Sequence, residues 1–334
     1  MGKHLCFTVA DRSYFALLKK EIHVLAVKAG FSETKVGEID IIVAELVSNL
    51  IKHANGGRLL VKLVKQQNID GIEIISIDNG DGIADVNKMM ADGMSTTNTL
   101  GHGLGAIKRL SDVFQVYSQK GWGTILLSRV FKEELPFSRR SNEIRAIIVP
   151  KPGEEKCGDG FYCRMTSESV RLFLGDGLGH GAEAAVAVNA AMQAFRFNNE
   201  ESATDVVREL HLSVKKTRGL VGTVALYVKN EKKWKICGVG NIATRIINGI
   251  EMRSSMAYNG IIGYNMPTSM KDQEVQAENA QVLLLCSDGI KTKWDLVKYP
   301  GILKHDLSIL AAVIFKDQAR FTDDMSVVAV RLNY

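Results

Sequence analysis

The sequence is short of the features that mark several protein classes. Its five cysteines, Cys6, Cys157, Cys163, Cys237 and Cys286, are odd in number and scattered, and no Cys-x-x-Cys pair occurs. That argues against a disulfide framework and against a zinc ribbon. No apolar run reaches ~18 residues, so no membrane insertion is expected. The opening stretch, MGKHLCFTVADRSYF, has no apolar signal-peptide core. No block of like charges stands out, and the net charge is only +5, from 42 Lys and Arg against 37 Asp and Glu. A nucleic-acid partner is therefore not expected. There is no GxxxxGK[ST]: the single Gly-Lys pair is Gly2-Lys3, which excludes a P-loop. The expectation is a soluble, cytoplasmic protein.

What is present is a chain of 334 residues, 46% hydrophobic and 24% charged, a balance suited to two globular domains. A strand near 3–10 and a helix over 12–30 open the chain. Residues 33–54, ETKVGEIDIIVAELVSNLIKHA, repeat apolar residues near the helical period. Strands follow at 58–65 and 71–77, then the turn cluster DNGDGI, helices near 84–92 and 105–113, and strands at 113–119 and 123–131. Antiparallel pairs between helices indicate an α+β sandwich and not a βαβ repeat. A polar stretch at 132–142 with Pro136 reads as the break between domains. Beyond it, strands at 143–149, 160–166 and 169–175 lead into a small-residue helix, 182–195, and a second helix, 203–216. Strands at 222–229, 233–240, 242–248, 281–286 and 326–332 make the rest mostly β.

Three features of the first half belong to nucleotide chemistry when taken together. Glu45 and Asn49 lie four apart on the long helix and share a face; a carboxylate serves as base, and an amide oxygen suits Mg²⁺. Asp78 closes a strand and is followed by Gly80 and Gly82, which let backbone approach closely. Gly101, Gly103 and Gly105 open a helix, where N–H groups and the helix dipole favour phosphate. The segments ELVSNLIKHA, DNGDGI and TNTLGHGLGAIKRLSD resemble the boxes of the GHKL ATPase fold, nearest the anti-sigma-factor kinases of the RsbW and RsbT type. That resemblance implies a Bergerat α/β sandwich over 1–134 that binds ATP and Mg²⁺. It makes Glu45 the general base, Asn49 the Mg²⁺ ligand and Asp78 the adenine partner, with Gly80 and Gly82 shaping its pocket. It also sets Gly101, Gly103 and Gly105 around the triphosphate, and Lys52 and Thr124 near phosphate. Relatives of this type phosphorylate a Ser or Thr on a small STAS-domain antagonist. With no phospho-accepting helix pair ahead of the ATPase region, autophosphorylation on histidine is not expected.

The second half carries Asp159, Asp176-Gly177, Asp288 and Asp323-Asp324, each at or beside a strand end. Carboxylates converging on one edge repel unless cations neutralise them, so a binuclear Mg²⁺ or Mn²⁺ site is expected. GDGLGHGAEAA, LLCSDGI and DDMSVV resemble the PP2C-like phosphatases of the SpoIIE and RsbX type. This implies an α-β-β-α sandwich over 143–334, after a linker at 135–142. By resemblance Asp176 bridges two metals and is central to catalysis, the Gly177 carbonyl holds one, and Asp159, Asp288 and Asp323 complete the shell. His180 either shapes the site or is a loop histidine. The first motif reads CGDGFY where many relatives have GGDxxD, so its second carboxylate is replaced by Cys163 or lies elsewhere.

The two resemblances together imply a partner-switching regulator: a metal-dependent phosphoserine/phosphothreonine phosphatase with a serine/threonine kinase-like domain. A sigma factor or an upstream sensor is a further partner compatible with them, as is a homodimer. The alternative keeps the phosphatase and makes the ATPase-like domain an ATP-sensing or partner-binding module.

Overall fold

The computed structural model describes residues 2–10, 14–86, 100–136, 142–249 and 251–332. It forms two compact units, Gly2–Ser138 with Lys304–Val313, and Arg139–Leu303 with Ile314–Tyr334.

In the first unit the strands are β1 (Leu5–Val9), β2 (Gly57–Gln66), β3 (Ile69–Asp78), β4 (Val113–Gln119) and β5 (Gly123–Phe131). They form one sheet in the order β1-β2-β3-β5-β4, antiparallel throughout. Helices α1 (Phe15–Lys28), α2 (Glu33–Ala54) and α3 (Leu100–Leu110) supply the helical layer. The core joins Ile39, Val43, Leu46 and Leu50 of α2 to Leu59, Val61, Ile72 and Ile74 of the sheet. Ser32 caps α2 by accepting from the Lys35 N–H, and Asn55 ends it in the left-handed conformation. Gly56 follows at φ +110°, where a Cβ would stand 2.6 Å from the Val9 carbonyl oxygen. The turn is thereby pressed against the end of β1.

The helix expected near 84–92 falls largely outside the described residues. The next helix begins at Leu100, so the glycines of GHGLG lie inside its first turns and not in a loop before residue 105. Glycine is a poor helix former. Close packing accounts for it: a Cβ on Gly103 would come within 2.6 Å of Glu45 Oε2.

Lys62, Glu73 and Arg129 are register partners on three neighbouring strands and all three are buried. Glu73 accepts from Arg129 at 2.7 Å and from the Ser308 hydroxyl at 2.8 Å, and pairs with Lys62 at 3.2 Å. Arg129 continues as a two-point clamp on Asp306 at 2.7 and 2.8 Å. Burial would raise the Glu73 carboxyl, but Lys62, Arg129 and His4 together hold it well below the usual range. The segment 304–313, remote in sequence, is thus tied into the first unit by charge.

The second unit has two five-stranded sheets. One runs β13-β10-β9-β8-β7, from β7 (Asp159–Met165), β8 (Ser169–Gly177), β9 (Leu220–Val228), β10 (Lys233–Val239) and β13 (Gln273–Gln276). The other runs β12-β11-β14-β15-β6, from β6 (Glu143–Val149), β11 (Ala243–Asn248), β12 (Glu251–Ser255), β14 (Val282–Cys286) and β15 (Met325–Arg331). Ile148, Phe161, Leu172, Leu283 and Val328 belong to the core that the two sheets share. Helices α4 (Gly181–Phe197) and α5 (Ala203–Ser213) cover the first sheet through Val188, Phe195, Val206 and Leu210. Three elements were not anticipated: β12, β13 and helix α6 (Leu307–Gln318). Every residue from Leu307 to Phe315 is buried, so α6 has no polar stripe and carries no helical period in its sequence. The strands β12 and β13 are short and mostly polar.

Candidate functional site

In the first unit a cavity of about 240 Å³ opens between α2 and the sheet, lined in part by Asn49, His53, Asp78, Gly80 and Thr124. Its apolar wall is Leu46, Leu50, Leu104 and Leu126. This is smaller than the ~300–1,000 Å³ of a whole small-molecule site and suits the flat base of a nucleotide. Asp78 Oδ1 accepts from the backbone N–H of Gly80 at 2.9 Å and of Thr124 at 3.0 Å. Those bonds fix the carboxylate at the cavity wall. The glycines are set by contact: a Cβ on Gly80 would sit 2.8 Å from the His53 carbonyl, and one on Gly82, at φ +70°, 1.9 Å from that of Gln119. Glu45 and Asn49 both face Gly103 of α3, at 2.6 and 3.8 Å from where its Cβ would be. The backbone of Gly101 and Gly105 is helical on either side. Lys52 does not line the cavity; it lies with Glu45, Phe15 and Ser48 along a separate groove. His53, unnoticed in the sequence as a pocket residue, does line it, with its pKa lowered by burial and by Lys52. A flat apolar slot with a fixed carboxylate at its wall and glycine backbone nearby fits ATP.

In the second unit the strands place the acidic residues at one end of the sandwich. Asp159 and Asp176 are direct partners across β7 and β8, which brings their Cβ atoms to about 5 Å on the same face. Ser287, at the end of β14, donates to Asp159 Oδ2 at 2.7 Å. The other oxygen, Oδ1, is buried with no hydrogen-bond partner. Burial and the neighbouring carboxylates push Asp159 up to about 7. Burial, then Asp159, Asp288 and Asp323, push Asp176 to about 9. Asp288 is raised too, by burial and Asp323, while Asn241 donates to its Oδ2 at 2.9 Å.

Among the described residues no three His, Cys, Asp or Glu side chains close into a ready-made metal cage; the carboxylates form a cluster coupled through charge. Hard oxygen donors, one of them orphaned and buried, and repulsion that cations would relieve, nevertheless fit divalent metal. Gly177 follows Asp176 in tight quarters, where a Cβ would stand 2.4 Å from the Ala184 carbonyl oxygen.

Asp324, as well as Asp323, belongs to the cluster. Its carboxylate accepts from the Lys151 N–H at 2.8 Å and the Gly158 N–H at 2.7 Å, and its charge reaches Asp159 and Asp176. Asp323 accepts from the Asp324 N–H at 2.9 Å. The adjacent-carboxylate motif was the signal; that both of the pair enter the cluster was not. Cys163 does not replace a carboxylate: it packs against the core between the sheets, and burial pushes its thiol up to about 12. His180 pairs with Glu154 at 2.7 Å, tying the start of α4 to the turn after β6.

Residues 8–129 match the histidine kinase-like ATPase domain family and residues 166–296 the stage II sporulation protein E family. The serine/threonine-protein kinase RsbT of Bacillus subtilis (strain 168) is 37% identical over 100 residues, 30% of this chain and 75% of that protein. The chain belongs to the RsbT family. It carries an RsbT-like domain in its first half and a PP2C-like, SpoIIE-type domain in its second. A solved structure from work on the bacterial stressosome is 25% identical, with a TM-score of 0.54, over 57% of this chain and 100% of that one. A structure of RsbX in complex with magnesium shares the fold at 17% identity and a TM-score of 0.50, over 59% of this chain and 98% of that one. No helix among the described residues is long and apolar enough to cross a membrane.

Proposed function

We propose that this RsbT-family chain is a partner-switching regulator with opposed phosphoryl-transfer sites, one in each domain. Its C-terminal domain hydrolyses phosphoserine or phosphothreonine on a protein. Its N-terminal domain passes a phosphoryl group from ATP to a serine or threonine of a STAS-type antagonist. In sequence the two divide as 1–134 and 143–334, joined by 135–142, except that Lys304–Val313 groups with the first. The observation that carries the reading is the register pair Asp159 and Asp176, held face to face with one buried oxygen unbonded. Like charges so placed destabilise a sheet, and cation-dependent catalysis gives that cost a use.

In the C-terminal site Asp159, Asp176, the Gly177 carbonyl, Asp288 and Asp323 would hold two Mn²⁺ or Mg²⁺. Bound metal supplies charge neutralisation and a water acidic enough to attack at neutral pH. Ser287 and Asn241 orient Asp159 and Asp288 through the bonds described. Attack on phosphorus breaks its bond to the serine or threonine oxygen, which leaves, takes a proton from solvent and regenerates the hydroxyl, releasing inorganic phosphate. In the N-terminal site Asp78 would accept from the adenine amine. Asn49 would hold Mg²⁺, and Gly101 and Gly103, in the first turn of α3 where N–H groups are free, would meet the phosphates; Gly105 lies past that turn, Thr124 stands beside Asp78 and Lys52 lies in the separate groove. Glu45 would take the proton of the substrate hydroxyl as its oxygen bonds the γ-phosphorus and ADP departs.

Turnover of p-nitrophenyl phosphate by the full chain with Mn²⁺, beside Asp176→Asn, tests the phosphatase. Metal-dependent turnover lost in the variant is expected; none in either form sinks the reading. ADP release with a STAS-domain protein, lost in Glu45→Gln, tests the kinase. ATP binding without release would leave that domain an ATP-sensing module.

A further inference from the structure

A groove of about 820 Å³ begins where the Asp176 strand ends. Leu178 and Gly179, the next residues after Asp176-Gly177, form its near wall, and Lys216, Arg218 and Tyr264 line it further along. Its position is tied to the carboxylate edge by backbone. The Leu178 N–H donates to the Gly219 carbonyl at 3.2 Å, and Leu220 and Ile262 exchange N–H···O bonds at 3.0 and 2.8 Å. Gly219 lies at φ +77°, and a Cβ there would come 2.8 Å from the Ile262 carbonyl oxygen. A larger residue would therefore disturb the wall.

The lining is apolar and cationic at once. Tyr264 is 75% exposed and Val186 58%, so the groove offers apolar surface beside its charges. Arg218 pairs with Glu183 and stands against Gly179. Among the described residues Lys216 makes no ion pair, so the groove keeps a surplus positive charge beside a strongly acidic site. Aromatic and arginine side chains grouped in this way are characteristic of protein-binding surfaces.

We infer that this groove receives the polypeptide flanking the phosphorylated residue of the substrate. It selects segments with acidic side chains beside the phosphoserine or phosphothreonine, through Lys216 and Arg218, and an apolar residue against Val186 and Tyr264. The inference rests on the phosphatase reading and names what that site would recognise. Electrostatic complementarity of this kind sets partner choice more than overall affinity.

The test uses the full-length chain and two fluorescein-labelled peptides with a central phosphoserine, one flanked by Glu and Leu, the other by Lys and Leu. Fluorescence anisotropy without metal gives both dissociation constants. The Glu-flanked peptide is expected to bind about 10-fold tighter, a difference within reach of paired charges. Lys216→Glu leaves the Arg218–Glu183 pair intact and should bring the ratio towards one. Lys216→Glu with Arg218→Glu should invert it. Equal affinity in the unaltered chain, or a ratio indifferent to both variants, overturns the inference. Turnover of p-nitrophenyl phosphate by the unaltered chain reports separately on the metal site. Selective peptide binding without turnover would refute the phosphatase and keep the groove; turnover without selectivity would do the reverse.

Discussion

At the scale of single residues, the two active centres use carboxylates in opposite ways. Asp78 is satisfied: its Oδ1 accepts two backbone N–H groups, so it holds its place before any ligand arrives. Asp78→Asn keeps an oxygen acceptor there and removes the charge. The fold should persist, and ATP affinity, read by calorimetric titration, should fall about 10-fold, the worth of one charge-assisted hydrogen bond. Asp159, with one oxygen bonded to Ser287 and the other unbonded, and Asp176 are instead raised by burial and mutual repulsion to about 7 and about 9. A carboxyl whose pKa is higher folded than unfolded stabilises the fold at low pH, where it is protonated in the native state. That contribution is lost as pH rises through the folded value. Metal-free protein should therefore lose thermal stability between about pH 5 and pH 9, and saturating Mn²⁺ should flatten that slope, because metal replaces the protons. A thermal melt series with and without chelator checks this; an unchanged slope with metal would contradict it.

At the scale of elements, what matters is which strand faces which. Lys62, Glu73 and Arg129 stand in sequence as three unremarkable charges on three strands. Pairing sets them side by side, and Arg129 then reaches Asp306 and Ser308. Arg129→Met would leave Asp306 without its two-point partner and Glu73 with Lys62 and His4 alone. Losing one member of such a buried set costs about 3–5 kcal/mol, which urea denaturation of the full chain should register. Glu73 is held well below its usual range, so its contribution is present at neutral pH and is lost as pH falls from the ordinary carboxylate range through the lowered folded value. The nucleotide motifs were legible in sequence because their glycines and acids lie close together along the chain. Asp324 and Asn241 were not, since each acts through a neighbour brought from another element; His53 was not, since the cavity it lines is closed by the sheet opposite its helix.

At the scale of the whole molecule, Lys304–Val313 belongs with Gly2–Ser138 although 165 residues of other structure, Arg139–Leu303, intervene in sequence. A fragment ending at residue 138 would lack Asp306 and Ser308 and leave Arg129 half-paired. It should therefore unfold at markedly lower urea than the same unit in the full chain. Supplying 304–313 as a peptide should restore part of the difference. A fragment as stable as the intact unit would show the segment to be dispensable.

The sequence by itself determined that an ATPase-like half precedes a phosphatase-like half, and the strand and helix order around each motif. Those depend on local periodicity and on glycines and acids spaced within a few residues. Tertiary structure alone decided that Asp159 faces Asp176, that Asp324 as well as Asp323 enters the acidic cluster, and that Cys163 packs half-buried against the core. It also decided that α6 is a helix and that its first turns close the buried charge network. These are consequences of long-range register and burial, and residues far apart in the chain carry no local pattern that announces them.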